Sequence, residues 1–187
     1  MIRISLLLAS TLICFSCKNN TGKKEEQTET AFFPLASILN EQWKNIDSLH
    51  LSVMKISTNE GVNDTVTSSL PELKKAAEGL INPDITQPPL NGKYRETSFA
   101  DQTIPSITLT YASEDKSLAV QRLDILLQPD PVDNDKLRTI YMEKNETLGN
   151  IFVSKKILLM ANRSLQVITS SKDSTLNIVK FSWDGIK

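Results

Sequence analysis

The chain has 187 residues with 21 basic and 22 acidic side chains, so its formal net charge is only −1. The lysines and arginines are dispersed rather than gathered on one stretch, which argues against nucleic acid as a partner. One histidine and two cysteines are too few imidazole and thiolate ligands for a catalytic zinc site.

The first elements are Arg3, an apolar run from Ile4 to Phe15, and then Ser16-Cys17. A basic residue ahead of a short apolar run is the pattern of a secretory signal peptide, and the run is too short to span a bilayer comfortably. A small residue directly before a cysteine suits the peptidase that processes lipoproteins, and the segment resembles a bacterial lipobox. Residues 1–16 are therefore expected to be removed, leaving Cys17 as a lipidated N-terminus. The competing reading is an ordinary cleaved signal with a chance cysteine. The lipobox match is imperfect, because Cys14 stands where leucine is usual and bulky Phe15 precedes Ser16. Several acyl chains, each CH₂ contributing roughly 0.8 kcal/mol on insertion, would make such an anchor stable. Both cysteines lie in this segment, so the mature domain would have neither a disulfide nor a thiol nucleophile.

Lys18 to Ala31 (KNNTGKKEEQTETA) is polar and lacks apolar periodicity, so residues 17–31 read as a lipidated cysteine and flexible tether. Its reach is roughly 20 Å by the square-root rule, which places the following domain just above a membrane.

Residues 32–187 read as a single globular domain, long enough to bury a sizeable core. Leu35, Ile38, Leu39, Trp43, Ile46 and Leu49 recur at helical spacing after Phe33-Pro34, with Pro34 expected at the first helical position. His50–Ser57 and Val62–Ser68 read as a hairpin turning at Asn59-Glu60-Gly61. Ser69-Leu70-Pro71-Glu72 opens a second helix with a capping-box spacing, and Asn82-Pro83 stops it.

From Pro83 to Pro105 the proline and glycine punctuation predicts a loop anchored by Tyr94 and Phe99, the two residues there that could meet a ligand or partner. Ile107, Leu109 and Tyr111 then alternate with polar residues. The alternation through Leu118 and Val120 slips by one at Arg122, as a bulge would produce. Further strands are expected over 137–144, 151–161, 165–170 and 176–183. The fold class implied is α+β: an antiparallel meander of about six C-terminal strands, an N-terminal hairpin, and two helices, the first packed on the sheet.

Catalytic motifs are thin. His50 would have to serve any Ser-His-Asp arrangement, yet it sits at a helix-to-strand junction with no serine elbow in the chain. The acidic stretch from Gln128 to Asp135 fails as a calcium loop in either register, because Val132, Leu137 or Tyr141 falls where an oxygen ligand is needed. No glycine-rich phosphate cradle is present, and no catalytic residue, cofactor or metal is expected. Asp47-Ser48-Leu49, Asp64-Thr65-Val66 and Asp173-Ser174-Thr175 match the Asp-Ser/Thr-apolar pattern of O-glycosylation in Bacteroidota.

The Ser-Cys-Lys junction, the polar tether and segments such as Glu96–Gln102, Gln121-Arg122-Leu123-Asp124 and Ile140-Tyr141-Met142-Glu143-Lys144 resemble a group of uncharacterised lipoproteins from Bacteroidota. That resemblance implies a cell-envelope location, lipid-anchored at the outer membrane, without implying an activity. Lys18-Asn19-Asn20 directly behind Cys17, in place of an acidic run, favours the periplasmic face over the cell surface.

Two functions compete. One is a non-catalytic interaction module that binds another envelope protein, which predicts an exposed apolar patch. The other is a carrier of an apolar small molecule. It is suggested by strands that are apolar on both faces: Ile157 and Leu159 oppose Leu158 and Met160, while Leu176 and Ile178 oppose Val179, Phe181 and Trp183. Phe181 and Trp183 are the groove residues under that reading.

Overall fold

The computed structural model describes residues 32–59, 61–130, 136–171 and 174–183. Cys17, the leader, the tether and most of the acidic stretch tested above for calcium lie outside them. Among the described residues two α-helices, α1 (Leu35–Ser48) and α2 (Leu70–Ala77), and a 3-10 turn, Glu78–Leu80, accompany nine strands. The strands are β1 (Val53–Asn59), β2 (Val62–Ser68), β3 (Arg95–Asp101), β4 (Ser106–Ala112), β5 (Val120–Gln128), β6 (Lys136–Leu148), β7 (Ile151–Met160), β8 (Ser164–Ser171) and β9 (Ser174–Trp183).

All nine strands form one antiparallel sheet in the order β2-β1-β9-β8-β7-β6-β5-β4-β3. Strands β3 to β9 are a simple meander, and the β1–β2 hairpin joins it by pairing β1 with β9, Val53 opposite Trp183. The expectation of six C-terminal strands is corrected to seven. The added strand is β3, which lies within the stretch read as a loop. Its sequence, Arg-Glu-Thr-Ser-Phe-Ala-Asp, is exposed along most of its length and shows no apolar alternation. The register slip expected near Arg122 is present, between Val120 and Arg122 in the pairing of β5 with β6.

Helix α1 buries Leu39, Gln42, Trp43 and Ile46, a stripe at helical spacing. Pro34 stands at the N-cap, one position before the expected one. At the other end Leu51 N–H donates to the Ile46 carbonyl and His50 N–H to that of Asp47, both at 3.1 Å. This is the Schellman pattern, with His50 at φ 51° in the position that usually takes glycine. In α2 the Ser69 hydroxyl accepts from Glu72 N–H at 3.3 Å, but the return half of the capping box is missing. Glu72 instead accepts from Ser68 and Lys55, at 2.7 and 2.6 Å.

Both helices lie on one face of the sheet. Trp43 meets Trp183 edge to face at 6.4 Å, and Leu73, Ala77 and Leu80 join a core with Leu123, Ile125, Ile140, Met142, Ile157, Leu159, Leu165 and Phe181. Phe32 stacks on Tyr111 at 5.3 Å, which brings the chain just before α1 onto the same face. The 81–94 segment, with cis bonds at Asn82-Pro83 and Pro88-Pro89, packs Ile85 and Tyr94 into that core. On the opposite face no helix lies among the described residues.

Candidate functional site

The open face is built by strand pairing. Thr110 of β4 is opposite Asp124 of β5, which is opposite Tyr141 of β6, itself opposite Leu158 of β7. In the neighbouring row Arg122, Glu143, Lys156 and Ile168 follow one another across β5 to β8. Residues two apart on a strand point the same way, so these two rows share a face.

Their polar groups are locked together. Asp124 accepts from Thr110 Oγ1 at 2.7 Å and from Arg122 Nε at 2.8 and 3.0 Å. The Tyr141 hydroxyl donates to Glu143 Oε1 at 2.5 Å, and Lys156 Nζ stands 4.0 Å from the same oxygen. Burial first, then the hydrogen bond to Glu143 and its charge, push the Tyr141 phenol up to about 12. At neutral pH Tyr141 therefore keeps its proton as a donor. With two carboxylates against Arg122 and Lys156, the cluster is charge-balanced and offers directional polar contacts.

Apolar side chains flank this cluster on the same face. Leu126, Leu158, Ile168, Ile178 and Ile56 are half-buried, and Met160 and Met54 are more open. Leu158, Met160 and Ile178 are half of the two-sided apolar pattern read from the sequence. Their opposite numbers, Ile157, Leu159 and Phe181, lie under the helices.

A second ionic group sits on the helix-covered face. Lys144 is 5% exposed, and its Nζ donates to the Asn82 carbonyl at 2.6 Å and meets Glu146 Oε1 at 2.8 Å. Lys155 Nζ takes the other Glu146 oxygen at 2.5 Å. Burial pushes the Glu146 carboxyl up. Hydrogen bonds from Lys144 and Lys155, with their charges, outweigh it and hold the group below the ordinary value. This group ties the 81–94 segment to β6.

The residues named from sequence are not brought together. Tyr94, Phe181 and Trp183 belong to the core, the Tyr94 hydroxyl donating to the Val120 carbonyl at 3.0 Å. Phe99 alone is open, 67% exposed on the β3 edge. Trp183 and Phe181 are walled in by the helix-covered core, so a groove ligand would have to displace packed side chains to reach them. A shallow depression of about 490 Å³ lies between Lys93, Arg95, Ser113 and Asp115, with Tyr94 among its lining residues. His50 is exposed, its ring 3.1 Å from the Ser48 carbonyl. Of the glycosylation matches, Ser48 ends α1 and Thr65 is exposed on β2. Asp173 lies outside the described residues.

The open-face cluster was not singled out as a site from sequence. Its signal was present as Arg122-x-Asp124 and Tyr141-x-Glu143, the two-residue spacing that puts both members on one side of a strand. Among the described residues no group of three or more His, Cys, Asp or Glu side chains is placed to hold a metal ion. No described helix is long and apolar enough to cross a membrane. The chain matches no protein-family model, no curated protein and no solved structure.

Proposed function

We propose that this protein is a non-catalytic interaction module of the bacterial cell envelope, held at the outer membrane by lipid on Cys17. The observation that carries the reading is the one-sided covering of the sheet. Nine strands have helices on one face, while the other presents a charge-balanced polar cluster beside Leu158, Ile168 and Ile178. Leu158, Ile168 and Ile178 leave apolar surface on a face that no described helix covers, which a partner would remove from water. Paired charges also lower the desolvation cost of covering it, because each already has its partner. The carrier reading has no such support, since Phe181 and Trp183 are already enclosed.

The test uses the full-length chain extracted from its own membranes in mild detergent and weighed by native mass spectrometry. A stoichiometric protein partner is expected, and Leu158→Asp should lose it while the thermal midpoint stays near that of the parent. A partner retained by Leu158→Asp, or no partner at all, overturns the module. A bound small apolar molecule in its place would restore the carrier. Incorporation of radiolabelled palmitate, abolished by Cys17→Ala, checks the anchor separately.

A further inference from the structure

We propose that β3 is a homodimerisation edge, along which a second copy of this chain adds antiparallel to continue the sheet. The inference goes beyond the open-face reading and does not depend on it. An edge strand exposes unpaired backbone N–H and C=O groups, and proteins commonly blunt such edges with charged side chains, lysine above all, with proline or with a bulge. Strand β3 has no proline, lysine or bulge; it carries three charged residues, Arg95, Glu96 and Asp101, whose signs are mixed. Its seven residues, Arg95 to Asp101, pair with β4 without a register shift.

What selects a second copy is the charge pattern. Two antiparallel β3 strands that overlap over their whole length must be centred on Ser98. That register places Arg95 opposite Asp101 of the other copy, and does so twice by symmetry. Glu96 then faces Ala100, and no like charges are opposed. Phe99, 67% exposed, faces Thr97 and lies diagonal to the other Phe99, within the reach of aromatic side chains across a strand pair. The interface is isologous and closes as a dimer. The other edge, β2, lacks this complementarity. Its one charge, Asp64, meets Val66 when the strand is centred on Thr65, and meets itself when centred on Asp64. Pairing β2 with β3 would be head-to-tail and open-ended.

The symmetry axis passes through Ser98, which is exposed, so a cysteine there faces its own copy. Directly opposed residues in an antiparallel pair lie about 4.5–5.5 Å apart between Cα atoms, which a disulfide accommodates. The full-length chain carrying Ser98→Cys is oxidised in its own membranes and run on a non-reducing gel, with Thr65→Cys in β2 as the comparison. The chain with no introduced cysteine sets the background, which covers any unprocessed copies that still carry Cys14 and Cys17 as thiols. Crosslinked dimer is expected at position 98 and only background at 65. Arg95→Asp should abolish the crosslink, and Arg95→Asp with Asp101→Arg should restore it. Crosslinking equal at the two positions, or none above background at 98, overturns the proposal. So does a crosslink that survives Arg95→Asp unchanged.

Discussion

Lys144 and Lys155 stand directly opposite each other across β6 and β7, a like-charge pair that Glu146 bridges. Replacing Glu146 by glutamine keeps the shape but removes the charge and leaves one amide oxygen for two lysines, its NH2 facing the other cation beside buried Lys144. Hydrogen bonds to charged groups contribute about 1.5–3 kcal/mol, and Glu146 is only partly exposed, so Glu146→Gln should cost about 2 kcal/mol in a urea titration. The sign of the pH dependence follows from the lowered carboxyl. A group that binds its proton more weakly when folded stabilises the fold above its unfolded pKa. The contribution is therefore present at neutral pH. It is lost as pH falls below the ordinary glutamate value of 4.5 and through the lowered folded one. The stability difference between parent and Glu146→Gln should narrow over that acid range. A difference that stays constant from neutral pH to well below pH 4.5 would show that the triad's charge is not what stabilises it.

Where helix meets sheet, Gly79, in the 3-10 turn Glu78–Leu80 after α2, lies so close to β7 that a Cβ there would fall 2.6 Å from Ile157 Cδ1. Ile157 is 1% exposed, so its methyl has little room to move. Gly79→Ala should cost about 1–2 kcal/mol through overpacking. Ile157→Val, which removes that methyl, should cost about 1 kcal/mol alone through the cavity it leaves. Together the two should cost less than their sum, because each relieves the other's defect, and thermal melts of the four proteins close the cycle. Strict additivity would remove the close contact as the cause. The same scale explains which elements could be read in advance. Helix α1 and strands β4 and β5 show one-sided apolar periodicity, and β7 is betrayed by its apolar run from Ile157 to Met160. Strand β3 packs little, and its pattern carries no period to detect. The expected end of β6 at Lys144 fell short of Leu148 because Asn145-Glu146-Thr147 looks like loop. In the sheet Glu146 is polar because it pairs with Lys144 two residues before it and with Lys155, which only the register of β7 brings to it. Phe181 and Trp183, groove candidates by sequence, lie in the helix-covered core instead, because which face the helices cover is not legible from the strands alone.

At the scale of the whole molecule the sheet is long and open, and its stability should be graded from centre to rim. Strand β7 is the middle of the nine, with β6 and β8 paired on either side and helices packed over its buried face. β2 and β3 have one neighbour each, and most of their side chains are exposed. Local opening costs least where few apolar contacts must break, so amide exchange should report this gradient directly. Exchange is expected to be slowest in β6 to β8 and fastest in β2, with β1 and β4 between them. In dilute monomer β3 should resemble β2, because each has a single paired side. If two copies meet along β3, raising the protein concentration should slow exchange at the β3 amides that face away from β4 and leave β2 as it was. Slowing at β2 instead would assign self-association to the wrong edge. A flat profile across the sheet would mean that all nine strands open together, as one cooperative unit.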